Sequence, residues 1–115
     1  MPQTWLEFRT TDVSAATTFL TATFGWTYVT VQLAGNKLYY KFKDSNNVFR
    51  AGLVLDQQVR AIEYIWVDEP DAIVTNALQN GGTVVAQGTG HPVLGTWAIL
   101  DGPNTAPFGV MNGNP

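Results

Sequence analysis

Short apolar runs alternate along this chain with two longer stretches whose apolar residues recur every three to four positions. Trp5-Leu6-Glu7-Phe8-Arg9 reads as a strand, with Trp5, Glu7 and Arg9 on one face and Leu6 and Phe8 on the other. Asp12 is placed to cap a helix running through Phe24, whose apolar stripe is Ala16, Phe19, Leu20 and Thr23, and Gly25 stops it. Three strands follow, over Trp26 to Leu33, Lys37 to Phe42 and Phe49 to Leu55, separated by turns at Ala34-Gly35-Asn36 and Asp44 to Asn47. The order then recurs. A strand over Ala61 to Val67 precedes a helix over Pro70 to Asn80 with Ile73, Val74, Ala77 and Leu78 as its stripe. Gly81-Gly82 stops that helix, and strands follow at Thr83 to Ala86, Thr96 to Leu100 and Phe108 to Asn112.

Sliding the chain by 57 residues tests this recurrence without gaps. Gly25 falls on Gly82, Asp44 on Asp101, Asn47 on Asn104 and Gly52 on Gly109, with Ala15 on Ala72 and Thr18 on Thr75. Three of these six identities mark a helix stop or a turn, where backbone geometry restricts the residue. The pattern therefore describes one domain over 1–115, built from two βαβββ modules at 3–56 and 60–113.

Composition narrows the chemistry. Hydrophobic residues make up 45% of the chain, enough for a core, while charged residues make up only 13%, about half the usual ~25%. A net charge of −3 argues against a nucleic-acid partner. With no Cys, disulfides and thiolate metal sites are excluded, and His91 is the only histidine. No apolar run approaches the ~20 residues of a membrane span, and the start lacks a signal peptide's pattern, so a cytoplasmic protein is expected.

Two tandem βαβββ units resemble the vicinal oxygen chelate superfamily, which includes glyoxalase I, extradiol dioxygenases and bleomycin-resistance proteins. Glu7-Phe8-Arg9-Thr10-Thr11-Asp12, then Phe19-Leu20 and Phe24-Gly25-Trp26, is similar to the family's opening. Gly95-Thr96-Trp97-Ala98-Ile99-Leu100-Asp101-Gly102-Pro103-Asn104, then Pro107-Phe108-Gly109-Val110, resembles its last hairpin. The resemblance implies an α+β fold of curled, cup-shaped mixed sheets with helices on the convex side. It also places the metal ligands of metal-dependent members on the first and fourth strands of each module. Those positions are Trp5, Gly52, Ile62 and Gly109 here, and none can donate a suitable electron pair to a divalent cation. No metal and no cofactor are expected, and the closest type is a small metal-free member that binds rather than catalyses.

The expected ligand site is an aromatic cup formed by Trp5, Glu7, Tyr40, Arg50, Tyr64, Trp66 and Trp97, with Gly52 and Gly109 leaving space at its floor. Alternation leaves open whether Tyr39 or Tyr40, and Thr96 or Trp97, faces inward. Glu7 is expected to pair with Arg9, Arg50 or a ligand, and is the single candidate for acid/base catalysis. Such a cup suits a planar, neutral or cationic organic molecule. The competing reading is a lyase, isomerase or dioxygenase of the same superfamily, with relocated metal ligands or with Glu7 as its base. His91 sits in a glycine-rich stretch, Gln87 to Gly95, expected to be a mobile, solvated loop that could cover the cup mouth. Small modules with open sheet edges favour a homodimer.

Overall fold

A computed structural model describes residues 4–115. The fold is α+β: eight strands and two helices in the expected order, each βαβββ unit giving a mixed four-stranded sheet with one helix packed on it. The compact units are residues 6–61, and residues 62–115 together with Thr4 and Trp5 at the chain start. Strand β1 (Thr4–Thr10), helix α1 (Val13–Phe24) and strands β2 (Thr27–Gln32), β3 (Leu38–Lys43) and β4 (Phe49–Leu55) make the first module. Its strand order is β2-β3-β4-β1, with β1 parallel to β4 and the remaining pairs antiparallel. The second module runs β5 (Arg60–Trp66), α2 (Pro70–Gln79), β6 (Thr83–His91), β7 (Gly95–Asp101) and β8 (Phe108–Met111). It repeats the order as β6-β7-β8-β5, with β5 parallel to β8.

The register makes the repeat concrete. Glu7 stands opposite Gly52 on β4, and Tyr64 stands opposite Gly109 on β8, the same 57-residue offset that the sequence shows. The matching turns agree in backbone geometry as well. Asn47 and Asn104 both adopt left-handed φ, at 60° and 57°, a conformation Asn tolerates better than most residues.

Each helix covers one core. Leu20, Phe42 and Leu53 are buried under α1 with Phe8, Val13, Ala16, Trp26 and Tyr40 packed around them. Ala98, Leu100 and Val110 are buried under α2 with Val67, Ile73, Val74, Ala77, Val84 and Phe108. Two residues of the expected helical stripes lie instead toward water: Phe19 and Leu78 are exposed. Phe19 and Leu78 fall at the edge of their helical stripes, where one more apolar residue finds no facing partner.

The helix ends follow the expected chemistry. The Asp12 carboxylate accepts a hydrogen bond from the Ala15 backbone N–H at 3.1 Å, and Gly25 closes α1 in the left-handed region with φ 70°. Pro70 opens α2 in its first turn. After α2 the left-handed residue is Gly81 (φ 85°), the first of the expected Gly81-Gly82 pair, one step before the position that aligns with Gly25.

Asp12→Ala should lower unfolding stability by about 1 kcal/mol in urea titrations, the usual worth of a side-chain N-cap. Glu69→Ala, at the α2 cap, should have a smaller effect, because Glu69 makes no side-chain cap bond.

Candidate functional site

The face of each sheet opposite its helix carries most of the residues that the sequence marks as functional. In the first unit, Glu7 is almost completely buried, and a buried carboxylate must be matched by donors or lose its charge. Here the Tyr39 hydroxyl donates to its Oε2 at 2.8 Å, while Arg9 donates to Oε1 from Nε at 2.9 Å and lies at 2.8 Å through Nη2. Arg9 also reaches Asp56 at 3.5 Å, and Arg60 donates to the same Asp56 oxygen at 3.1 Å. A guanidinium thus meets one Glu7 oxygen and a phenol the other, both as charge-assisted hydrogen bonds. Of its two expected protein partners, Arg9 is the one in place.

Arg50 is turned away by a β-bulge. Along β3 and β4, Lys41 pairs with Gly52 and Phe42 with Ala51, but Lys43 pairs with Phe49, leaving Arg50 as the extra residue. Phe49 thereby takes the place that simple alternation gave to Arg50, and the Lys41 ammonium lies 3.9 Å from the Phe49 ring centre. Burial lowers the Lys41 pKa from its ordinary value. Arg50 pairs with Asp44 at 3.2 Å at the exposed turn. Hydrogen bonds from the Val48 and Asn46 backbone N–H groups, aided by Arg50, hold the Asp44 carboxyl below its usual range despite desolvation.

The tyrosine ambiguity resolves the other way from the expected Tyr40. Tyr40 packs on the helix face beside Leu20 and Phe42, and its ring meets Tyr28 edge-on at 5.3 Å. Tyr39, fully buried, takes the opposite face. A Cβ on Gly52 would overlap the Tyr39 hydroxyl and ring, and a Cβ on Gly109 would overlap the Tyr64 ring. The two glycines therefore do not widen a cavity; they receive tyrosine rings.

In the second unit, Trp5, Ile62 and Tyr64 are buried, while Trp66 and Trp97 are half-buried. Trp97 and Trp66 both pair with Met111, one across β7–β8 and the other across β5–β8. Residues paired directly across strands point to one face, so the two indoles flank Met111 on the side away from α2. Gly88 faces Trp97 from β6, and a Cβ there would sit 2.9 Å from the indole nitrogen. The Trp66 indole N–H donates to the Gly113 carbonyl at 3.0 Å, which fixes that ring. Trp97 rather than Thr96 thus lies on this face. The main-chain N–H of Thr96 takes the Asn112 side-chain oxygen at 2.9 Å.

His91 is not in a solvated loop. Strand β6 extends to it, and its Nδ1 accepts from the backbone N–H groups of both Val93 and Leu94, at 3.1 and 3.0 Å. The ring thus closes a tight β6–β7 connection in which Val93 and Leu94 are buried, and Gly113 donates to the Leu94 carbonyl at 2.9 Å. It meets Trp97 edge-on at 6.5 Å. An unprotonated Nδ1 places the ring proton on Nε2. Among the described residues, no three His, Asp or Glu side chains gather as a metal site would need.

Two βαβββ units with this register fit the glyoxalase and bleomycin-resistance superfamily. Comparison with curated proteins agrees at that coarse level. The chain is 28% identical, over 117 aligned positions, to proteins named "Putative glyoxylase CFP32" from Mycobacterium bovis and Mycobacterium tuberculosis. The alignment takes in 96% of this chain and 45% of each relative, so the chain spans about half their length. No family model matches it.

Gly109→Ala should cost about 1–3 kcal/mol of stability, the usual penalty for overpacking. In a double-mutant cycle, it should cost much less once Tyr64→Ala has removed the ring. The Arg9–Asp56–Arg60 cluster gives a pH dependence. Burial acts to raise the Asp56 pKa, but the Gln57 N–H, Arg60 and Arg9 outweigh it and hold the carboxyl below its ordinary value. A depressed carboxylate stabilises the fold above its unfolded pKa, about 3.9, and loses that contribution as pH falls toward its folded value. Urea midpoints should therefore drop below about pH 4 in wild type and drop less in Asp56→Asn.

Proposed function

We propose that this protein is a metal-free small-molecule binding protein of the glyoxalase and bleomycin-resistance type. In this reading a planar, neutral or cationic organic molecule rests on the aromatic surface of the second unit. The observation that carries it is the placement of Trp66 and Trp97 on either side of Met111, both half-buried and both aimed away from the helix. Indole faces attract flat rings, and a cation over such a face gains roughly 0.5–2 kcal/mol. The preference for a cation then comes from the indoles and not from Glu7, whose oxygens already meet Arg9 and Tyr39.

The absence of a metal in this proposal rests on side-chain chemistry: Trp5, Gly52, Ile62 and Gly109 offer no donor where metal-dependent relatives carry one. The two relatives named as glyoxylases are more than twice as long as the matched segment, so the name supports the class more than the reaction. Homodimerisation in the cytoplasm completes the reading, since β2 and β6 leave open sheet edges in their own units.

Titration with phenyltrimethylammonium and with benzoate, followed by the NMR shifts of the Trp66 and Trp97 indole signals, tests the ligand class at this surface. The cation should bind more tightly than the anion, and Trp97→Leu should weaken it about ten-fold while Glu7→Gln leaves it within two-fold. Tighter benzoate binding, or an unchanged affinity in Trp97→Leu, would overturn the reading. Metal analysis of dialysed protein should find no stoichiometric Zn, Ni, Fe or Mn. One retained equivalent would contradict it.

A further inference from the structure

A cavity lies in the first unit, on the helix face. Its volume is about 250 Å³, and it is lined by Phe8, Ala16, Phe19, Leu20, Leu53 and Val59 together with Arg9, Thr10, Arg60 and Ala61. The walls are almost wholly apolar. Phe19 and Val59, 64% and 77% exposed, stand among them with their rims open to water. An apolar space of about 150 Å³ already admits benzene, so this one has room for a single substituted ring or a short alkyl chain. It is smaller than the roughly 300 Å³ at which sites for drug-sized ligands begin.

Charge selects among such molecules. Arg60 lines the cavity and commits its Nε–H to Asp56 at 3.1 Å; its terminal Nη groups have no partner among the described residues. Arg9 is held on Glu7 and Asp56, so its charge is already matched. Asp56, held ionised, fixes the near edge of the Arg60 guanidinium and leaves the far edge to meet an anion. A guanidinium edge with two parallel N–H donors fits a carboxylate.

We propose that this cavity is a binding site for a small hydrophobic monocarboxylate, with its ring or chain between α1 and β4 and its carboxylate on the Arg60 Nη groups. The proposal is independent of the tryptophan surface. It has the opposite charge preference, and no tryptophan lines the cavity, so the two can fail separately.

The test uses phenylacetate and its uncharged counterpart phenylacetamide, with heteronuclear NMR shifts of the whole protein as readout. Phenylacetate should shift amides of α1, β4 and residues 57–61 at millimolar concentrations, leaving the Trp66 and Trp97 indole signals in place. Arg60→Gln should weaken phenylacetate about ten-fold and phenylacetamide by less than two-fold. Ala16→Leu, a strong helix former that fills the cavity, should abolish binding of both while the protein stays folded by circular dichroism. Shifts confined to the tryptophan face, equal losses of acid and amide in Arg60→Gln, or full binding in Ala16→Leu would each overturn the proposal. So would sedimentation showing that wild type self-associates while Phe19→Ser does not, because a second copy would then occupy the Phe19–Val59 surface.

Discussion

The close approach of a tyrosine ring to a glycine backbone, made once in each unit, decides what the faces opposite the helices can hold. A ring fits there only because the strand beneath it carries no Cβ: Gly52 lies under Tyr39 and Gly109 under Tyr64. Both tyrosines are fully buried, and each ring displaces the space that a ligating side chain on the fourth strand would need. Any side chain at either glycine would first demand removal of the ring on the neighbouring strand.

Burial of Glu7 follows from that packing. The Tyr39 ring over Gly52 brings its hydroxyl to the Glu7 carboxylate, and the phenol alone could not offset the cost of desolvating a charge. Arg9 supplies the balance two residues along the same strand, and Asp56 and Arg60 extend the pairing to the strand ends. Replacing such a network by apolar residues can be neutral, whereas removing one member leaves a buried charge unmatched. Each member therefore matters chiefly for keeping the others matched.

Most of the architecture was legible because it depends on local rules. Asp12 before an apolar stripe, Gly25 after it, and paired Asn47 and Asn104 turns are backbone requirements written in residue type. Alternation correctly placed Trp5, Glu7, Tyr64 and Trp66 on one face of their strands, since those strands are regular. It failed at Arg50 because the extra residue of a bulge shifts parity and no residue type announces it. Tyr39 and Tyr40 were indistinguishable for a related reason: both are aromatic, and the choice rests on Gly52, a neighbour in space two strands' worth of sequence away. His91 was misread because its glycines suggest looseness. What orders that stretch is a side-chain nitrogen accepting two main-chain bonds, a partner set visible only once the turn is built.

The 57-residue offset also shows how one backbone socket acquires two chemistries. Glu7 corresponds to Tyr64 and Arg9 to Trp66, while on the third strand the register moves by one: Tyr39 pairs with Val54 as Trp97 pairs with Met111, so Tyr39 corresponds to Trp97. In the second unit the first strand itself supplies the ring that fills the glycine site, and the third strand carries Trp97 beside Met111 on the same face. In the first unit the first strand carries an ion pair instead, and the ring must come from β3. The glycine is retained in both because the socket is a backbone feature, and what plugs it is free to change. An ion pair plugged by a phenol is closed to ligands by its own hydrogen bonds. The indoles of Trp66 and Trp97 are half-buried, and the proposed ligand surface rests on them.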